Sequence, residues 1–307
     1  MKYLVFDAGG TFIKYAIMDE KANIYDKSKV PTPQGDFCTL NDYIGVLEEI
    51  YIKYKDQVQG IAISAPGVID STTGYCYSGG YLTYVSQKNP VELLEERCHV
   101  PVTIENDGKC AALAEVWKGS MQDVKNGAVI ILGTGVGGGL ILDGQVYKGK
   151  NFAAGEFSYV LTDRNHEKEE NSYWGMVSGS NALSECVCAE TGIPANTLDG
   201  IKIFEMAMNG NKGVLKGIHI FAKQLATQIY NLQAILDLER IAIGGGISQQ
   251  PLLIEEIREN LNTLHKENPL RRISDFIPFP IVTNCTFFND SNLIGALYHH
   301  IRLTKSK

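Results

Sequence analysis

"GTGVGGGLILDGQVYKG", Gly133–Gly149, follows the apolar run "NGAVIIL" and decides between two folds. Its first half mimics the glycine fingerprint of dinucleotide-binding proteins, but that fingerprint has to open a helix. Here "GLILDGQVY" continues as a second strand with a polar turn at Asp143-Gly144. The segment reads as strand, glycine-rich turn, strand. Glycines in such a turn let backbone amides approach an anion such as a phosphate.

The same design opens the chain. "YLVFDAGG" runs into a Gly9-Gly10 turn, and "TFIKYAIMDEKANIYDKSKV" returns with alternating apolar residues and a polar turn near Asp19–Asn23. Leu40–Lys55 follows as an amphipathic helix, with Tyr43, Val46, Leu47, Ile50 and Tyr54 at helical spacing. "VQGIAISAPGVID" reads as a buried strand ending in a Pro-Gly turn. This alternation predicts an α/β lobe with a mixed sheet, and the Gly133 hairpin starts a second lobe of the same design without sequence repetition. Helical periodicity covers Ser178–Thr191, Leu198–Met208 and Gly213–Leu238. Then come the strand and third glycine turn "RIAIGGGIS", a helix near Leu252–Leu264, and a loop punctuated by Pro278 and Pro280. "DSNLIGALYHHI" closes the chain as a helix capped by Asp290 or Ser291. The expected division is 1–117, 118–290 and a C-terminal helix, 291–307, packing back toward the N-terminal lobe. No low-complexity linker separates the lobes, which predicts tight packing around a cleft with a hinge.

A chain of 307 residues with 44% hydrophobic content can bury two ordinary cores. Its formal charge of −7 has no compensating basic stripe, which argues against a nucleic-acid partner. No apolar run approaches a bilayer-spanning length and no signal-peptide pattern opens the chain, so a cytoplasmic protein without membrane association is expected. The seven cysteines are scattered through apolar segments, and Cys186 and Cys188 diverge on a helix, so reduced buried thiols are expected.

"ENDGKCAALAE", Glu105–Glu115, sets Asn106 and Asp107 between a strand and a helix. An aspartate there can cap the helix through its carboxylate. It can also accept a proton, and the helix dipole would favour the ionised form that this needs. Asp7 and Thr11 on the first hairpin and Thr134 on the second suit a clasp around a nucleotide polyphosphate. Asp7 would sit near Mg²⁺ through water, because that ion sheds its hydration shell reluctantly.

The ordered blocks "DAGGTFIKYAI", "APGVID", "IENDGKCAALAE", "GTGVGGGLILDGQVYKG", "AAGEFSY" and "IAIGGGIS" resemble the signatures of the ROK family of sugar kinases. The resemblance implies an actin-like, ribonuclease-H-like pair of α/β lobes with ATP and a sugar in the cleft between them. It puts Gly9, Gly10, Thr11 and Lys14 at the first phosphate loop, with Lys14 either lending positive charge or facing solvent. Gly133, Thr134, Gly135 and Gly137 fall on the second loop, and Gly244, Gly245 and Gly246 on the adenosine side. Asp107 falls on the catalytic base, Asn106 on a sugar-hydroxyl contact, Glu156 on the carboxylate that binds the sugar ring, and Gly67 on the sugar side. Repressor members carry an added helix-turn-helix domain at their N-terminus; this chain opens on the first block, so a kinase member is expected. A homodimer is also expected from the resemblance.

The chain departs from the family in three places. "GEFSY" sets Tyr159 where many members have a histidine, and the segment after it has no cysteine and only His166. Structural zinc needs about four such ligands, so no zinc site is expected. Trp174 stands where relatives carry a trailing glutamate, and "GGYLTY" offers Tyr81 where many carry Pro-Asn. Tyr81, Tyr159 and Trp174 either stack on sugar faces or fill the volume of the missing knuckle. The expected function is ATP- and Mg²⁺-dependent phosphorylation of a sugar hydroxyl, the 6-hydroxyl of a glucose-type hexose or of a β-glucoside. Phosphorylation of N-acetylmannosamine is the alternative, and a non-catalytic sugar sensor is the alternative of another class.

Overall fold

Alternating apolar residues pair β1 (Lys2–Ala8) with β2 (Phe12–Asp19) across the Gly9-Gly10 turn, in antiparallel register from Lys2 opposite Asp19 to Ala8 opposite Ile13. The computed structural model describes residues 1–273 and 278–305. β3 (Ile24–Pro31) adds to β2 as an exposed edge. α1 (Leu40–Tyr54) starts on a Thr39–Asp42 capping box and buries Tyr43, Ile44, Leu47 and Ile50. β4 (Ile61–Ala65) is buried at every position and stops before Pro66-Gly67. The short β5 (Ile69–Asp70) and β6 (Tyr75–Cys76) pair separately. α2 (Pro90–Cys98) is capped by Asn89, β7 (Val102–Asn106) is fully buried, and α3 (Asp107–Lys118) follows it directly. The sheet order is β3-β2-β1-β4-β7. β1, β4 and β7 run parallel and bring Asp7, Ser64 and Glu105 into one row at their carboxyl ends.

The second sheet repeats this plan. β8 (Gly127–Leu132), β9 (Val136–Leu142) and β10 (Gln145–Tyr147) form the antiparallel meander predicted from the Gly133 stretch. Four helices follow: α4 (Trp174–Val177), α5 (Ser180–Thr191), α6 (Gly200–Met208) and the 25-residue α7 (Lys212–Leu236). β11 (Arg240–Gly244) pairs parallel with β8, α8 (Pro251–Lys266) follows, and β12 (Ile281–Asn284) completes the order β10-β9-β8-β11-β12. The sequence reading runs β12 into the loop marked by Pro278 and Pro280. Four residues beside two prolines carry too little pattern to announce a strand, and β12 forms because β11 offers it a parallel edge.

The chain divides into two compact units. The first comprises Met1–Lys118, Lys148–Ala154 and Asp290–Lys307; the second comprises Gly119–Tyr147 and Gly155–Asn289. Residues 148–154, assigned from the sequence to the C-terminal lobe, thus return to the first unit. Of the expected closing element, 306–307 lie outside the described residues. The first core gathers Leu4, Phe6, Ile17, Leu47 and Ile63, and the second Val214, Ile218, Phe221, Leu225 and Ile241. Among the described residues no helix is long and apolar enough to cross a membrane.

The C-terminal helix (Ser291–Lys305) packs on α3 at Gly295, where a Cβ would lie 1.8 Å from the Cys110 carbonyl oxygen. Backbone cannot yield there as a flexible side chain would. Gly295→Ala is therefore expected to lose about 1–3 kcal/mol through overpacking, read as a lower midpoint in thermal unfolding. A wild-type midpoint would refute this close approach.

Candidate active site

The row at the carboxyl ends of the parallel strands is where open α/β sheets bind ligands. In the first unit it starts at Asp7, 7% exposed. Asp7 Oδ1 accepts from Asn292 Nδ2 at 3.0 Å and from Ser64 Oγ at 3.3 Å, while Lys14 Nζ lies 3.4 Å from Oδ2. Lys14 is thus placed opposite Asp7 by the β1–β2 register, with its side chain 43% exposed. Beside Asp7, the Gly9 amide donates to the Phe12 carbonyl at 3.0 Å and the Thr32 hydroxyl donates to the Gly9 carbonyl at 2.7 Å. Gln34 bonds the Gly10 carbonyl, and Gly10 and Thr11 remain exposed.

The helix cap proves to be Asn106, not Asp107. Asn106 Oδ1 accepts the Lys109 amide at 3.0 Å, and its Nδ2 donates to the Gly67 carbonyl at 2.9 Å. The helix begins at Asp107 itself, directly after β7. Asp107 is half-buried between buried neighbours, and its Oδ1 accepts the Gly108 amide at 2.8 Å. With the cap supplied by Asn106, the Asp107 carboxylate stands in the first turn, where the dipole favours negative charge.

Gly67 links this corner to the next loop. Its φ is +104°, and a Cβ there would strike the Ser78 carbonyl oxygen at 2.0 Å, so only glycine fits. Tyr81 follows in the same loop, 76% exposed, with its Cβ 3.7 Å from where a Cβ on Gly10 would be. The sequence-expected residues Asp7, Gly9, Gly10, Gly67, Tyr81, Asn106 and Asp107 are thereby connected within one unit.

Glu105, which sequence reading passes over, is 0% exposed directly before Asn106. Lys148 Nζ lies 2.6 Å from its Oε2 and donates to Ser71 Oγ at 2.5 Å. His299 Nδ1 lies 3.7 Å from the same carboxylate, with its Nε2 3.2 Å from the Ser71 carbonyl. Burial opposes the Glu105 charge, but the His299 ring, the Lys148 ammonium and the Asn106 amide outweigh it and hold the carboxyl below its usual value. Burial also holds the His299 imidazole below its own usual range, so Lys148 is the countercharge at neutral pH.

In the second unit the Gly133–Gly135 turn closes with the Gly133 amide donating to the Gly135 carbonyl at 3.0 Å. Gly133 and Thr134 are exposed, as is Gly137 on β9. Gly245, at φ +95°, has room for no Cβ, because the Leu132 carbonyl oxygen would be 2.1 Å away. That contact sets the exposed Gly246 and the buried Gly244 beside the Gly133 turn. Gly179 also abuts this turn: a Cβ on it would meet the Thr134 carbonyl at 2.1 Å, and the Ser180 amide donates to the Gly133 carbonyl at 2.7 Å. The N-terminus of α5 therefore abuts the loop, an arrangement suited to anions. The "SGS" of Ser178–Ser180 before a helical run was the available signal for it.

Glu156 is half-buried before a short turn, Phe157–Tyr159, in which Tyr159 is 78% exposed. Of the two roles expected for Trp174, stacking on sugar or filling volume, the structure gives it the second. It is 0% exposed and packs on Phe157 with centroids 5.4 Å apart, so it fills the core. His166 pairs with Asp163 at 2.8 Å, and no cluster of three metal-ligating side chains occurs among the described residues.

Two mixed five-stranded sheets of identical order, glycine turns at strand ends and a carboxylate heading a helix define a two-lobed α/β protein. The chain belongs to the ROK family, whose pattern spans residues 3–301. It is 30% identical over 303 residues to a β-glucoside kinase of Listeria monocytogenes, with 98% of each chain covered. A ROK family protein from Streptococcus pneumoniae, solved in complex with sucrose, matches with a TM-score of 0.86 at 28% identity over 100% of both chains. The fold is also shared with a ROK family glucokinase from Streptomyces griseus in complex with glucose and AMPPNP, at TM-score 0.80 and 21% identity, covering 97% of this chain and 98% of that one.

Proposed function

We propose that the protein is an ATP-dependent kinase that transfers the γ-phosphoryl group to a sugar hydroxyl, the 6-hydroxyl of a glucose-type hexose or of a β-glucoside. The observation that carries this reading is the division of labour at the start of α3. Asn106 caps the helix through the Lys109 amide, and Asp107, half-buried at the strand ends, takes the Gly108 amide beside it. Phosphoryl transfer asks little covalent chemistry of the protein; it needs an aligned acceptor oxygen, a group to take its proton, and donors over the phosphates. Asp107 is the proton acceptor and Asn106 and Glu156 hold the sugar. Backbone amides at Gly10 and Thr11 and at Thr134 and Gly135, in turns closed by the Gly9 and Gly133 amides, receive the phosphates, and Gly244–Gly246 borders the adenosine.

Mg²⁺, when bound, neutralises charge on the transferring phosphates. Asp7 fits a water-mediated contact to it, because a single carboxylate already held by Lys14, Ser64 and Asn292 cannot form a protein cage, and Mg²⁺ keeps most of its water in such sites. The β-glucoside kinase likeness and the sucrose bound by the S. pneumoniae relative both favour an acceptor that can carry a second ring.

A coupled assay of ADP release with glucose, N-acetylmannosamine, cellobiose and an aryl β-glucoside tests the reading. Sugar-dependent ADP release is expected with glucose or a β-glucoside. Sugar binding with no ADP above the sugar-free rate would point to a sensor instead.

A further inference from the structure

Six non-glycine residues have positive φ among the described residues, and turns or helix ends account for most of them. Ala22 and Asp143 sit in strand turns, and His99 and Asp237 end α2 and α7. The other two are Gln87 at φ +59°, in the turn that follows the short helix Thr83–Val85, and Phe152 at φ +60°, in the bend of segment 148–154. Both hold the same side chain's surroundings, those of Tyr77. Gln87 Nε2 donates to the Tyr77 carbonyl at 2.6 Å, and its Oε1 accepts from the Tyr75 hydroxyl at 3.2 Å. Phe152 lies nearly parallel to the Tyr77 ring, 22° between planes and 6.5 Å between centroids, and Tyr75 meets Tyr77 edge-on at 5.2 Å.

Left-handed backbone on a bulky residue is unfavourable, and such positions gather at ligand sites. Both rings remain partly in solvent, Tyr77 48% exposed and Phe152 partly so. An aromatic pair left partly at the surface beside this corner is not explained by core filling. Its position is specific too. Tyr77 precedes Ser78, whose carbonyl fits against Gly67, and the Gly67 carbonyl takes the Asn106 side chain. Phe152 lies on segment 148–154, pinned at its base by the Lys148–Glu105 pair next to Asn106. Both rings are thus tied to the corner that carries Asp107, within one unit.

We propose that Tyr77 and Phe152 form a subsite for the second ring of a β-glucoside, the ring beyond the hexose that is phosphorylated. This rests on the kinase reading above. Sugar rings have apolar faces formed by C–H groups, and aromatic faces are the side chains that bind them without demanding a particular hydroxyl pattern. Such a shelf selects for the presence of a second ring more than for its identity.

The test compares kcat/KM for cellobiose and for glucose in wild type, Tyr77→Ala and Phe152→Asn. Asparagine accepts left-handed backbone better than phenylalanine, so Phe152→Asn removes the ring without adding strain and keeps the test open should Tyr77→Ala unfold. The cellobiose-to-glucose ratio is expected to fall by about threefold to tenfold in each variant, the span of one aromatic contact. A wild-type ratio in folded variants, or a wild type that phosphorylates glucose but not cellobiose, would overturn the subsite alone. Turnover of neither sugar would overturn the kinase reading and the subsite with it.

Discussion

Asp107→Asn is expected to lower kcat by about 10²- to 10⁴-fold, the usual contribution of a positioned general base, while sugar binding changes little. Asparagine keeps the size of the side chain and can still receive the Gly108 amide, so the fold should survive. The cap is also untouched, since Asn106 provides it. A stability loss typical of a broken N-cap, about 1 kcal/mol, should therefore appear in Asn106→Ala and not in Asp107→Asn. Titration calorimetry with sugar separates the two: near-normal affinity with collapsed turnover is the expected pattern for Asp107→Asn. Near-normal turnover would remove Asp107 from the chemistry.

Lys148→Met should be the most damaging single change to stability. It leaves Glu105 fully buried with no full countercharge, and breaking a buried pair from one side typically loses about 3–5 kcal/mol. The loss has a pH signature. In the wild type the folded Glu105 carboxyl is held below its ordinary value of 4.5, so its contribution is present above that value and disappears as pH falls through the folded one. With Lys148 gone and His299 held neutral by burial, burial is expected to dominate and raise the folded value above the unfolded one. The unfolded chain then releases the proton first, and the variant loses stability as pH climbs from about 4 toward 7. The groups facing Glu105 that remain are His299, Ser71 through its carbonyl on His299, and the Asn106 amide. Adding Glu105→Gln to Lys148→Met should recover much of the loss at neutral pH. Denaturant unfolding of both variants across this pH range checks the sign, and a loss independent of pH would argue that Lys148 acts by packing.

The hairpins around Gly9-Gly10 and Gly133–Gly135 were legible in the sequence because alternation and glycine turns are local signals. So was the strand-to-helix junction at Asn106–Asp107. Which of those two residues caps the helix was not legible, since both side chains can do it and one residue of register decides. Trp174 shows the same limit: an aromatic residue in a loop-rich segment does not announce whether its ring turns inward, and Phe157 packing turns it inward here. Lys148 after a strand reads as an ordinary solvated lysine. Its partner Glu105 lies on another strand, and only the return of residues 148–154 to the first unit brings them together. The Tyr77–Phe152 pair was hidden for the same reason, its two rings being far apart in the chain.

With Asp107 as the proton acceptor, sugar and ATP should be converted into a sugar phosphate and ADP. Phosphorus NMR of the wild type incubated with ATP, Mg²⁺ and glucose or cellobiose tests it most directly, with Asp107→Asn run alongside. A new phosphomonoester signal is expected, split by a CH₂ group and growing in step with ADP, and nearly absent in the variant. ATP consumed to ADP and inorganic phosphate alone, or a phosphomonoester formed equally fast by the variant, would contradict it.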